Sequence, residues 1–230
     1  MAEFENRVVV ISGATGGAGR VITARFLGEG ATVFAVGHSQ NEQAAPANLI
    51  RVKADLFTRQ GARSVVETAI SRAGRIDVLV HLVGGFAGGQ SVAEAGTGTW
   101  EHMMNINFYA ALFLFEAVIP EMMKHRRGRI IAMGSRTGVD PVASLGPYSV
   151  SKAALHALVR AIAAEVKDAG ITSNAVLPGV IDTAANRQAN PAADHTMWVT
   201  PESIAELILW LASDRAGDVN GALIPIYGRS

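Results

Sequence analysis

Two hydrophobic periods alternate along the chain. Arg7-Val8-Val9-Val10-Ile11-Ser12 is almost wholly apolar, the pattern of a strand covered on both faces. Residues 31–36, 49–52, 76–83, 129–133 and 171–177 are short β-branched runs of the same kind. Between them, residues 21–29, 59–73, 99–124 and 148–167 carry helical spacing. Thr200-Pro201-Glu202 opens a last helix, with Thr200 as N-cap and Pro201 at the first helical position. Leu223-Ile224-Pro225-Ile226 reads as a seventh strand, which Pro225 places at an edge. About seven such alternations predict an α/β fold: a doubly wound parallel sheet of about seven strands, three layers deep, with right-handed crossovers. One long segment, residues 182–199, lacks clear periodicity, and a loop of that length is either functional or mobile.

Composition narrows the class. The 230 residues are 49% hydrophobic and 17% charged, which excludes a disordered chain and suffices for one full core, so a single domain over residues 1–230 is expected. Twenty basic residues balance twenty acidic ones, leaving no electrostatic footprint for nucleic acid or an anionic membrane surface. The absence of cysteine excludes disulfides, a thiolate metal site and a cysteine nucleophile. His102, His125 and His156 have helical positions without paired ligand spacing, so no metal is expected. The N-terminus lacks an apolar signal core, and the most apolar run, residues 110–120, is broken by Glu116 short of a membrane span. A cytoplasmic protein is the expectation.

The 24 glycines exceed the ~7% of average usage, and they cluster. The first strand runs into Ser12-Gly13-Ala14-Thr15-Gly16-Gly17-Ala18-Gly19-Arg20, and a helix follows. A pyrophosphate needs backbone N–H groups, a close approach free of Cβ atoms and a helix N-terminus behind it. Gly13, Gly17 and Gly19 supply the approach, and Thr15, Gly16 and Ala18 complete the cradle. Its place between first strand and first helix points to dinucleotide binding. Where an acidic residue would bind the adenosine ribose, the second strand ends in Val36-Gly37-His38-Ser39. With no carboxylate to repel a 2′-phosphate near His38 and Ser39, the pattern favours NADP over NAD; His38 also reads as an ordinary exposed loop residue. Asp55, followed by Leu56, is either an acceptor for the adenine amino group or a helix N-cap.

Tyr148-Ser149-Val150-Ser151-Lys152 starts a helix, and i,i+4 spacing puts Tyr148 and Lys152 on one face. A free phenol has a pKa near 10. A neighbouring ammonium, and the positive charge of an oxidised nicotinamide, favour the phenolate and are expected to lower that value. Ser135 follows the fifth strand, at the carboxyl edge where ligands bind in such sheets, and can hold a substrate oxygen.

At these residues the chain resembles the short-chain dehydrogenases/reductases, over essentially its whole length. Ser12-Gly13-x-x-x-Gly17-x-Gly19 looks like the family's cofactor loop, serine replacing threonine. Asn107, Ser135, Tyr148 and Lys152 match its catalytic tetrad, and Leu177-Pro178-Gly179-Val180-Ile181-Asp182-Thr183 its stretch beside the nicotinamide. The resemblance implies a Rossmann-like fold, with Ile181 and Thr183 at the carboxamide and Asn107 holding a water that relays protons to Lys152. The family's Asn-Asn-Ala-Gly appears as His81-Leu82-Val83-Gly84, only Gly84 retained at the cofactor. The bland reading of His81 is a satisfied core histidine. Gly84-Gly85-Phe86-Ala87-Gly88-Gly89 is similar to a run in dihydropteridine reductase-like members, and Pro225-Ile226-Tyr227-Gly228 replaces the usual Asp-Gly-Gly.

These readings imply reversible hydride transfer between nicotinamide and a small carbonyl or alcohol substrate. The pocket would be built from residues 85–91, 136–147 and 182–199. The alternative is a cofactor-binding regulator or scaffold with little turnover, left open by the altered His81-Leu82-Val83 segment. The helices over residues 99–124 and 148–167 look too apolar for one buried face each, which predicts a dimer or tetramer, as does the resemblance.

Overall fold

A computed structural model gives the fold and describes residues 2–37 and 46–229. Seven strands form one sheet in the order β3-β2-β1-β4-β5-β6-β7, every pairing parallel. They are β1 (Val8–Ser12), β2 (Thr32–Gly37), β3 (Leu49–Lys53), β4 (Val78–His81), β5 (Gly128–Met133), β6 (Ile171–Pro178) and β7 (Leu223–Ile226). Chain order reverses between β1 and β4, which opens a crevice at their carboxyl ends. β7, with Pro225, is an edge strand, so the missing N–H breaks no ladder on its outer side.

The helices divide between the two faces. α2 (Arg59–Ala73), α4 (Ala110–His125) and α5 (Gly146–Val166) bury Val65, Leu114 and Leu155 with Val10, Leu79 and Ile130 of the sheet. α1 (Gly17–Gly28) and α7 (Pro201–Ala212) bury Phe26 and Ile208 with Ile11, Val80 and Ile131 on the opposite face. Successive strand residues thus feed opposite cores, which is why β1 and β4 are apolar at all but their last positions. α2 is capped by Thr58, whose hydroxyl accepts from the Gly61 N–H at 3.0 Å, and α7 by Thr200, which accepts from the Ser203 N–H at 3.1 Å.

Three sequence expectations need correction. The first helix begins at Gly17, within the glycine loop, rather than at residue 21. The helix expected over residues 99–124 is α3 (Thr97–Met104), a π-helical turn at Asn105–Tyr109, and then α4. Together these 29 residues are long and apolar enough on average to cross a membrane, where the unbroken-run criterion found nothing, but Met103, Leu114, Phe115, Val118 and Met122 are buried in the protein's own interior. Residues 182–199 are not featureless: they hold α6 (Ala184–Ala189), capped by Thr183, a 3-10 turn at His195–Met197, and a parallel bridge from Ile181 to Val199.

Candidate active site

The crevice gathers the sequence's chemistry at the carboxyl ends of β1, β4, β5 and β6. The loop after β1 turns through Gly13 at φ 71°, and a Cβ on Gly19 would collide with the Gly13 carbonyl, so loop and helix close tightly only without side chains. The N-cap of α1, Gly16, offers no side-chain cap, which leaves first-turn N–H groups free to take an anion. Thr183 lies against this loop: a Cβ on Gly17 would sit 2.8 Å from its methyl. Beside it, Gly13, Thr15, Gly37 and Leu56 line a cavity of about 60 Å³. This cradle fits the pyrophosphate and adenosine of a dinucleotide. Arg20, which the sequence reading passed over, ties the loop by donating from Nε to the Thr15 carbonyl at 2.9 Å.

Asp55 is exposed and accepts from the Phe57 N–H at 3.0 Å, an Asx-type turn, while the N-cap role belongs to Thr58. The His38 and Ser39 assignments lie outside the described residues. Pro178 ends β6, and the Gly179 N–H donates to the Ile226 carbonyl at 3.2 Å. The Ile181 side chain packs on the α1/α7 core, and its carbonyl accepts from Asn186 Nδ2 at 2.7 Å.

Asn107 sits in the π turn, fully buried. Its amide pairs with the Gly85 backbone in both directions, Nδ2 to the carbonyl and Oδ1 from the N–H, each at 3.0 Å. Nδ2 also reaches Ser151 Oγ at 3.1 Å. The side chain therefore fastens the glycine-rich loop to α5. Gly84 is the spacer: a Cβ there would lie 2.7 Å from Asn107 Oδ1 and 3.1 Å from Lys152 Nζ.

Lys152 is buried and donates to the Met133 carbonyl at 3.0 Å; desolvation brings its pKa down to about 8. Ser135 is the N-cap of a 3-10 turn, accepting from the Thr137 N–H at 3.3 Å, and its hydroxyl bears on the titration of the Tyr148 phenol. That phenol departs from expectation in the protein alone. Burial pushes its pKa above the ordinary value, with the Ser135 hydrogen bond pulling the other way. Phe86, which the sequence analysis left in a glycine run, sets its ring edge-on to Tyr148 at 5.1 Å although it is itself 67% exposed. Next to it Ala87, Gly88, Gln90, Ser144 and Pro147 line a cavity of about 120 Å³, drawn mainly from two of the three expected pocket segments.

His81 is only half satisfied. Nδ1 is 2.9 Å from Ser12 Oγ, which also accepts from the Leu82 N–H, but Nε2 has no partner among the described residues. Burial first, and the Lys152 charge second, lower its pKa to about 3.

The family model for short chain dehydrogenase matches residues 7–194. The chain belongs to the short-chain dehydrogenase/reductase family. Its similarity to curated members of this family spans nearly the full length of both chains. It is 32% identical over 250 residues to short-chain dehydrogenase/reductase olcF of Penicillium canescens, covering 98% of this chain and 97% of that one. It is 30% identical over 241 residues to 3-oxoacyl-[acyl-carrier-protein] reductase FabG of Thermotoga maritima, covering 98% of each. Among solved structures, levodione reductase superposes with a TM-score of 0.90 at 25% identity, over 98% of this chain and 97% of that one. The structure described as ElxO with NADP bound shares the fold at 0.90 and 23% identity, over 96% and 97%. Membership carries a dehydrogenase/reductase role.

Proposed function

We propose that this dehydrogenase/reductase moves a hydride reversibly between a nicotinamide dinucleotide and the carbonyl or hydroxyl carbon of a small organic substrate, as one unit over residues 1–230. The observation that carries the reading is the placing of Lys152, four residues past Tyr148 on α5, with its Nζ on the Met133 carbonyl at the end of β5, the strand that Ser135 follows. The bound dinucleotide supplies the hydride chemistry. Gly13, Gly16, Gly17, Ala18 and Gly19 hold its pyrophosphate. Thr15, Asp55 and Leu56 face its adenosine, and Pro178, Gly179, Ile181 and Thr183 its carboxamide. NADP remains the favoured form over NAD because the second strand ends without a carboxylate.

In the reducing direction Tyr148 Oη gives its proton to the substrate oxygen, and Ser135 Oγ orients that oxygen by a hydrogen bond. The raised phenol pKa suits a proton donor that stays protonated until charge develops on the substrate. Lys152, with its pKa near 8, can exchange a proton at working pH and hand it toward Tyr148. Asn107 fixes the Gly84–Gly85 backbone that lies against Lys152, and the Met133 carbonyl holds the lysine. Catalysis of this kind contributes typically about 10²–10⁴-fold.

Assembly belongs to the same reading. α5 leaves Val150, Ala153, Ala157, Ala161 and Ala164 exposed, and the neighbouring helical run exposes Tyr109 and Met123, an apolar area that a dimer or tetramer would cover. The enzyme would work in the cytoplasm. Titrating each reduced cofactor by fluorescence and then assaying a carbonyl panel tests the proposal. Binding followed by cofactor oxidation is expected, while binding without turnover across the panel would favour a regulatory role instead.

A further inference from the structure

His156 lies on α5, one turn beyond Lys152 and two beyond Tyr148, with its side chain enclosed at 3% exposure. It faces the turn that carries Ser135. Its Nε2 accepts the Ser135 backbone N–H at 3.3 Å. Two glycines make the room. A Cβ on Gly134 would lie 2.5 Å from Nε2, and one on Gly138 2.5 Å from Cε1, so this turn is shaped around an imidazole. The other polar groups of Ser135 are held from within the turn: its carbonyl accepts from the Gly138 N–H at 3.1 Å, and its hydroxyl meets Thr137 Oγ1 at 3.0 Å. The N–H is anchored from α5, by the His156 ring.

We propose that His156 is a positioning residue: by holding the Ser135 backbone from α5, it aims the Ser135 hydroxyl at the point where the Tyr148 phenol and the substrate oxygen meet. This rests on the catalytic reading of Ser135 and Tyr148 above. The role requires a lone pair on Nε2, hence a neutral ring carrying its proton on Nδ1, the nitrogen packed against Gly138. Burial, and next the Lys152 charge, lower the His156 pKa to about 4, so the ring remains an acceptor through neutral pH. A small displacement of a substrate-orienting group is enough to slow chemistry about 100-fold.

The test compares H156L, of similar volume with no acceptor, with H156Q, whose amide oxygen can reach the same N–H. H156L is expected to lose about 10- to 100-fold in kcat, with the reduced-cofactor Kd changed less than about twofold. H156Q is expected to recover most of that loss. A parental kcat in H156L, or H156Q as slow as H156L when both melt with the parent, overturns the proposal. If H156L does not fold, the ring of the unmodified protein decides, through long-range nitrogen–proton NMR of labelled histidine. An unprotonated Nε2 at neutral pH is expected, and a protonated Nε2 refutes the role. Parental turnover in Y148F would instead sink the catalytic reading, while the NMR result would stand or fall independently.

Discussion

Gly84→Ala places one methyl group where three parts of the site converge. The new Cβ would stand 2.7 Å from Asn107 Oδ1 and 3.1 Å from Lys152 Nζ, against an ordinary carbon contact of roughly 3.5 Å. Gly84 is not in the left-handed backbone region, so the penalty is purely steric. Asn107 cannot simply retreat. It is fully buried, paired twice with Gly85 at 3.0 Å and once with Ser151 at 3.1 Å. Losing the Gly85 pair removes two hydrogen bonds of about 1 kcal/mol each, and stranding a buried amide oxygen adds roughly 1–2 kcal/mol. A loss of about 3–4 kcal/mol corresponds to a melting point lower by roughly 6–16 °C in a protein of this size. Lys152 shifts with the loop, so turnover falls as well. Scanning calorimetry and steady-state kinetics read both effects. Gly98→Ala in α3 is the control, since a Cβ there meets nothing within 4 Å and should stabilise by up to about 1 kcal/mol. A G84A protein that melts and turns over like the parent would refute the role given to the Asn107–Gly85–Lys152 packing.

Two further outcomes are expected. His81 has its pKa lowered to about 3, so below pH 6.5 the unfolded chain binds a proton that the native state refuses. That stability is present above pH 6.5 and is lost by up to about 1.4 kcal/mol per pH unit as pH falls toward 3. H81N should therefore lose less stability on acidification than the parent in chemical denaturation, and parallel pH profiles would count against the buried, half-satisfied histidine. On the exposed face of α5, A157R should leave the monomer fold intact and break assembly. Sedimentation at micromolar concentration should show a dimer or tetramer for the parent and a smaller species for A157R, and a monomeric parent would remove the proposed interface.

The fold was largely legible because both cores leave a periodic trace. β1 is buried at every position and apolar at all but Ser12, since both its faces are covered, and Thr200 acts at a helix start by chemistry that needs no tertiary context, whereas the cap expected at Asp55 falls to Thr58. The glycine loop, Ser135, Tyr148 and Lys152 carry recognisable spacing, and the fold brings them to one crevice. What the sequence hid depends on long-range packing. The π turn at Asn107 has the same residues an α-helix would use, and only the Gly85 and Ser151 partners, 22 and 44 positions away, explain its side chain. The direction of the Tyr148 shift was missed because spacing shows Lys152 to be near but does not show the depth of burial of the phenol. Phe86 and His156 left no local signal: one is an aromatic in a glycine run, the other a histidine four residues past a lysine, and each acquires meaning only from its neighbour across the site.

The most direct measurement follows a deuterium label from the C4 position of the reduced cofactor into the product of a carbonyl substrate that the parent accepts, in parent and Y148F proteins of equal thermal stability. The account predicts one deuterium on the carbinol carbon with the parent, and transfer slower by at least about 100-fold with Y148F while cofactor affinity is kept. Label transfer at the parental rate in Y148F would contradict it.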